Sequence, residues 1–151
     1  MIGYERGIGQ TDDHRSSLAR EHSVNNLDRW YAYIRDHDDA ALWAMLHPDA
    51  VFESPVVHTP QRGRDIVFKY LSSADKVLGG PDFAYRGEWQ AADSAVLEFT
   101  SVVDGITVNG VDMITWDADG LITHFKVMVR PLKAVEMVHR KMGAMLAAAA
   151  G

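Results

Sequence analysis

Apolar positions along the chain first recur at helical spacing and later at alternating spacing. From Leu18 a helical pattern builds, with Leu27, Trp30, Tyr31 and Ile34 at i, i+3, i+4 and i+7 on one face. His37-Asp38-Asp39 interrupts it. A second, short helix is predicted over Ala40 to Leu46, with Asp38 or Asp39 as its N-cap and Pro48 as its stop. Ala50 to Glu53 is a short strand. A third helix is predicted from Gly63 to Leu78, with Ile66, Val67, Tyr70 and Leu71 on one side, and Gly79-Gly80-Pro81 ends it. Beyond that the period drops to two. Phe83, Tyr85 and Trp89 alternate with polar neighbours, and further strands are predicted over Ala95 to Val103, Ile106 to Trp116 and Leu121 to Val129. Ala92-Asp93-Ser94, Asp104-Gly105 and Asp117 to Gly120 are the turns between them. A last amphipathic helix follows Pro131 and carries Leu132, Val135, Val138, Met142 and Met145.

Helices with one early strand, then a four-strand antiparallel meander, then a helix, predict an α+β fold rather than a parallel sheet. A strongly twisted sheet with helices on one side forms a cone with an interior pocket. Residues 1–16 are polar and Gly-containing and are expected to be a loose tail. Residues 17–146 form one domain, and 147–151 a frayed end.

The chain has 151 residues, enough to bury a core without staples. It contains no Cys, which excludes disulfides, thiol catalysis and thiolate metal sites. The net charge of −6 and the lack of a Lys/Arg stripe argue against nucleic acid as a partner. No secretory signal or membrane-length apolar run is present, so a cytoplasmic protein without membrane contact is expected. The seven His show no HxH or HExxH spacing, and no Gly-rich phosphate loop precedes a helix. Neither a metal nor a cofactor is expected.

The stretch Phe52-Glu53-Ser54-Pro55-Val56-Val57-His58-Thr59-Pro60, closed by Gly63, resembles the strand, Pro-bracketed turn and Gly transition of ketosteroid isomerase and other NTF2-like (SnoaL-like) proteins. Gly110-Val111-Asp112-Met113-Ile114 resembles the isomerase segment whose Asp is a protonated oxyanion-hole donor. The similarity spans roughly residues 20–145. It implies an NTF2-like fold, a cone-shaped curved antiparallel sheet with helices packed on its concave side. It also implies a homodimer through the outer sheet face, with Glu98, Lys126, Met128 and part of the last helix contributing. The catalytic pattern departs from that family. The position of the isomerase base is Ser54, and that of its oxyanion Tyr is Trp30. Val127 stands near the place where limonene epoxide hydrolase has an Asp. Steroid isomerisation, polyketide cyclisation and epoxide hydrolysis therefore do not transfer on these residues.

Strand parity selects the side chains that face the pocket. With Asp112 inward, Gly110, Ile114 and Trp116 point inward too, as do Leu97, Phe99 and Ser101 on one neighbour. Thr123, Phe125, Val127 and Val129 do so on the other. Glu98, Thr100, His124, Lys126 and Met128 then lie outside. Asp112 is the first catalytic candidate, because a carboxyl in an apolar cone has its charged form disfavoured. The alternative is a structural Asp bonded to backbone amides or to Trp30. His58, at the expected mouth of the cone, is a second acid/base candidate, or else a loop His with a satisfied hydrogen bond. Ser54 is placed to bind a ligand or to cap its own turn. Trp30, Phe68, Phe99, Trp116 and Phe125 are candidates for lining a site for a small hydrophobic ligand.

Three functions follow. One is a cofactor-independent isomerase, hydratase or cyclase using Asp112. Another is a non-catalytic module binding a small ligand. The third is a structural dimerisation module whose cone is filled.

Overall fold

A computed structural model describes residues 26–150. The tail expected over residues 1–16, and the start of the first helix at Leu18, lie outside the described residues. Helix α1 occupies 26–36 of the described chain. It is followed by α2 (Asp39–Met45), β1 (Leu46–Glu53), β2 (Gln61–Arg62) and α3 (Arg64–Leu78). Strands β3 (Ala84–Gln90), β4 (Ser94–Val103), β5 (Ile106–Trp116) and β6 (Ile122–Arg130) lead to α4 (Leu132–Ala149). The architecture is α+β, one curved, unclosed six-stranded sheet in the order β2-β1-β6-β5-β4-β3 with the helices against its concave face.

The meander from β3 to β6 is antiparallel throughout. Strand β1 extends it by pairing with β6 in parallel, and the two-residue β2 pairs back onto β1 at Val51 and Phe52. Strand β1 is longer than the expected Ala50–Glu53. Helix α2 ends at Met45, Leu46 already has an extended backbone, and Pro48 falls in the irregular stretch between the Leu46 and Val51 pairings. A residue that cannot donate is tolerated there.

Local chemistry accounts for the boundaries. Asp38 caps α2 by accepting from the amides of Ala40 and Ala41. Asp104 and Gly105 both have positive φ, as a two-residue hairpin with the handedness of the sheet requires. Gly63, at φ 104°, turns the chain from β2 into α3.

Three expectations are corrected. On α4 the buried positions are Ala134, Met137, Val138 and Met142, while Leu132 is 72% exposed. The buried stripe is rotated from the one expected through Leu132 and Val135. A register shift between Tyr85 and Gly87 puts Trp89 opposite Val96 on the outer face, so it does not follow Phe83 and Tyr85 inward. A second shift between Thr115 and Trp116 makes Ile122 the inward residue on β6. Thr123, expected inward, instead bonds the Thr115 carbonyl with its hydroxyl. In the central strands the expected parity holds: Leu97, Phe99, Ser101, Gly110, Asp112, Ile114 and Trp116 are buried, and Phe125 and Val127 follow on β6. Among the described residues no helix is long and apolar enough to cross a membrane.

Candidate active site

The concave face and the helices enclose a cavity of about 60 Å³ that opens to solvent. Helix α1 contributes Trp30, Tyr33 and Ile34 to its wall. Helix α3 contributes Leu71, Ala74, Asp75 and Leu78, and α4 contributes Val138 and Met142. From the sheet come Phe52, Tyr85, Phe99, Asp112, Phe125 and Val127. The lining is overwhelmingly apolar, so each polar atom in it has unusual weight.

Three polar side chains form a relay. Trp30 Nε1 donates to the Tyr85 hydroxyl at 2.9 Å, and that hydroxyl donates to Asp112 Oδ2 at 2.6 Å. Elements distant in sequence converge here. Trp30 lies on the buried face of α1, Tyr85 precedes the β3 bulge, and Asp112 is at the centre of β5, opposite Leu97 and Val127. Among the described residues, Asp112 is therefore bonded neither to a backbone amide nor directly to Trp30. Tyr85, noted in the sequence only as an apolar-pattern position alternating with polar neighbours, is the partner that sequence reasoning passed over. Gly110 makes room for the Phe99 ring of the cavity wall, because a Cβ there would fall 2.5 Å from that ring and 2.6 Å from the Met128 carbonyl.

Burial raises the Asp112 pKa from 3.8 to about 7, and the Tyr85 hydrogen bond pulls the other way. Loss of hydration is the larger effect because the carboxyl is walled by hydrocarbon. Tyr85 is itself pushed well above its ordinary value by burial and by the adjacent carboxyl, so it remains a phenol. Tyr85 occupies Oδ2, and no protein group among the described residues hydrogen-bonds Oδ1. That oxygen is free to hold a proton, donate it or accept one. Near pH 7 both protonation states are populated, as general acid–base work requires.

The other expected site residues divide by position. Trp30, Ser54, Phe99 and Phe125 line the cavity with Asp112. Ser54 Oγ also accepts from the amides of Val56 at 3.1 Å and Val57 at 3.3 Å, capping its own turn. His58 is exposed and outside the cavity wall, which removes the geometric basis for pairing it with Asp112. Phe68 lies outside the wall, edge-on to Trp43 with ring centroids 5.6 Å apart. Trp116 is buried in the core and also off the wall. Outside the cavity, His124 and Lys126 meet Glu53 at 2.6 and 3.1 Å on the outer sheet face, and Asn109 donates to Glu98.

Asp75, Tyr33 and His37 also escaped sequence reasoning. Asp75 sits on the same α3 stripe as Val67, Leu71 and Leu78, and an acid on an apolar stripe was a legible signal. Its pKa is raised by burial, opposed by the hydrogen bond with His37. Among the described residues no three His, Asp or Glu side chains gather in metal-binding geometry.

The sequence profile of a SnoaL-like domain matches residues 27–125. Among solved structures, a steroid delta-isomerase from Pseudomonas aeruginosa is 37% identical, with a TM-score of 0.79 over 84% of this chain and 93% of its own. An uncharacterised bacterial protein with a cystatin-like fold from Silicibacter pomeroyi is 30% identical, with a TM-score of 0.73 over 79% of this chain and 83% of its own. An NTF2-like protein of unknown function from Mesorhizobium loti shares the fold at 23% identity, with a TM-score of 0.64 over 74% and 93%. No protein of curated function matches the sequence. Profile, identity and architecture agree, and the chain belongs to the SnoaL-like family of NTF2-like proteins.

Proposed function

We propose that the protein is a cofactor-independent proton-transfer enzyme of isomerase type, acting on a small hydrophobic carbonyl compound. Asp112 is the acid/base group. The observation that carries this reading is the open Oδ1 of a buried carboxyl whose other oxygen is held by Tyr85, inside an apolar cavity. Ionised Asp112 takes a proton from carbon next to the carbonyl, and neutral Asp112 returns it. Tyr85, itself held by Trp30, fixes the carboxyl and keeps its pKa from rising further. The 37% identical steroid delta-isomerase supports an isomerisation chemistry on a fused-ring compound.

The test is exchange of α-protons for deuterium, followed by NMR in D₂O with fused-ring ketones of two, three and four rings. Wild type exchanges at least one of them well above the solvent rate. Asp112→Asn lowers that exchange by at least about 100-fold, the scale of a general acid–base contribution, and His58→Ala leaves it unchanged. No exchange in wild type overturns the reading. The second reading, a ligand-binding module, is favoured by Ser54, which puts a turn cap where the resembled isomerase has its base. Ketone binding that depends on Asp112 without exchange selects it.

The outer sheet face supports a homodimer in either case. Trp89, Val102, Met113 and Met128 are 59, 44, 36 and 54% exposed there, beside the paired charges of Glu53, His124 and Lys126.

A further inference from the structure

A second polar pair lines the cavity outside the relay, Tyr33 on α1 and Asp75 on α3. Among the described residues, the Tyr33 hydroxyl and Asp75 Oδ1 are fully enclosed side-chain oxygens left without a hydrogen-bond partner. Tyr33 is 1% exposed, and the Asp75 side chain 9%. Asp75 is not idle at its other oxygen, since His37 Nδ1 holds Oδ2 at 2.7 Å. His37 reaches it from the α1–α2 junction, where its backbone takes φ 54°, a conformation that costs energy and persists only when the surroundings impose it. The next turn of α3 leaves Oδ1 its space, because a Cβ at Gly79 would stand 2.5 Å from that oxygen.

Leaving buried polar atoms unpaired is unfavourable, and native structures rarely do so without a reason. The two orphans differ in kind. A phenol can donate, whereas a carboxylate oxygen only accepts. A ligand hydroxyl placed between them would satisfy both, donating to Asp75 and accepting from Tyr33, whose phenol lies close enough to feel the Asp75 charge. We propose that Tyr33 and Asp75 form a hydroxyl-recognition subsite of the cavity, taking a ring compound that carries an alcohol or phenol besides the group presented to Asp112. This subsite rests on the cavity being a ligand site, as proposed above, but not on the chemistry at Asp112.

The test compares fused-ring ketones of two, three and four rings, each with and without a hydroxyl on the ring farthest from the carbonyl. Affinities are measured by titration calorimetry with wild type, Tyr33→Phe, Asp75→Asn and Asp112→Asn. At least one hydroxylated ketone binds wild type about 10-fold or more tighter than its deoxy partner, because a site built for a hydroxyl penalises its absence. Tyr33→Phe and Asp75→Asn erase that preference and leave the deoxy ketone's affinity in place. Tyr33→Phe removes only an orphan oxygen, so its unfolding midpoint stays at or above that of wild type, and it alone decides if Asp75→Asn fails to fold. The proposal is overturned if no pair shows the preference, if the preference survives Tyr33→Phe, or if Tyr33→Phe lowers the midpoint, which would mean that water already satisfies the hydroxyl. α-Proton exchange separates the two readings. A hydroxyl preference that persists where wild type exchanges no α-proton contradicts the proposed function and leaves the subsite standing.

Discussion

Asp112 couples the stability of the protein to pH. Folding favours its neutral form, since its pKa rises from 3.8 to about 7. The contribution is therefore complete below pH 3.8 and is lost as pH rises to about 7. At about 1.4 kcal/mol per unit, the full swing is roughly 4 kcal/mol. Asp112→Asn cannot ionise, and its amide oxygen still accepts from Tyr85. In urea unfolding it should match wild type near pH 4 and exceed it by a few kcal/mol at pH 8. A stability difference that does not change with pH would contradict this. Tyr85→Phe strips the donor from Asp112 and the acceptor from Trp30 Nε1, so it should cost about 1–3 kcal/mol and move the Asp112 pKa upward. Asp112 was legible as a residue because an acid at an inward strand position stands out against apolar neighbours. Its partner was not, because which hydroxyl meets it depends on β3 lying across β4 with Tyr85 opposite Phe99. Pairings over such sequence distances leave no local trace.

Elements were legible where turn chemistry or period is strong. The Asp104-Gly105 hairpin and the α3 boundary follow from single residues whose backbone preferences leave little choice, and of the two candidate caps of α2 the structure selects Asp38. The misjudged features share one physical cause, a shift of phase by one residue. Bulges in β3 and β6 moved Trp89 outward and brought Ile122 inward, and periodicity alone cannot register an inserted residue. On α4 the choice was between two overlapping apolar stripes, and contact with α3 and the sheet selected the one through Ala134, Met137 and Val138. Met137→Ala should therefore destabilise the protein by about 2–5 kcal/mol, whereas Leu132→Ala should shift it by less than about 0.5 kcal/mol. Comparable effects would put both on one buried face. Asp38→Ala should cost about 1 kcal/mol by uncapping α2, read from the denaturation midpoint.

At the scale of the whole molecule, one curved sheet separates two surfaces of different character. The concave face holds the cavity and its few polar atoms. The convex face carries Trp89, Val102, Met113 and Met128, exposed in a single chain. Sedimentation at micromolar concentration should show a dimer, and Met128→Glu should shift it toward monomer without unfolding it, because the side chain is 54% exposed. A wild-type monomer would leave the convex face unexplained. The α+β architecture was legible from the change of period from 3.6 to 2 along the chain. The cavity wall was legible only in part, because Asp75, Tyr33 and Tyr85 meet through helix–sheet packing. The account turns on the state of Asp112, and a ¹³C NMR titration of its carboxyl carbon, assigned with Asp112→Asn, measures that state directly. A midpoint near pH 7 is the predicted result. A midpoint in the ordinary carboxylate range, near 4, would show a hydrated, permanently ionised group and contradict the proposed chemistry.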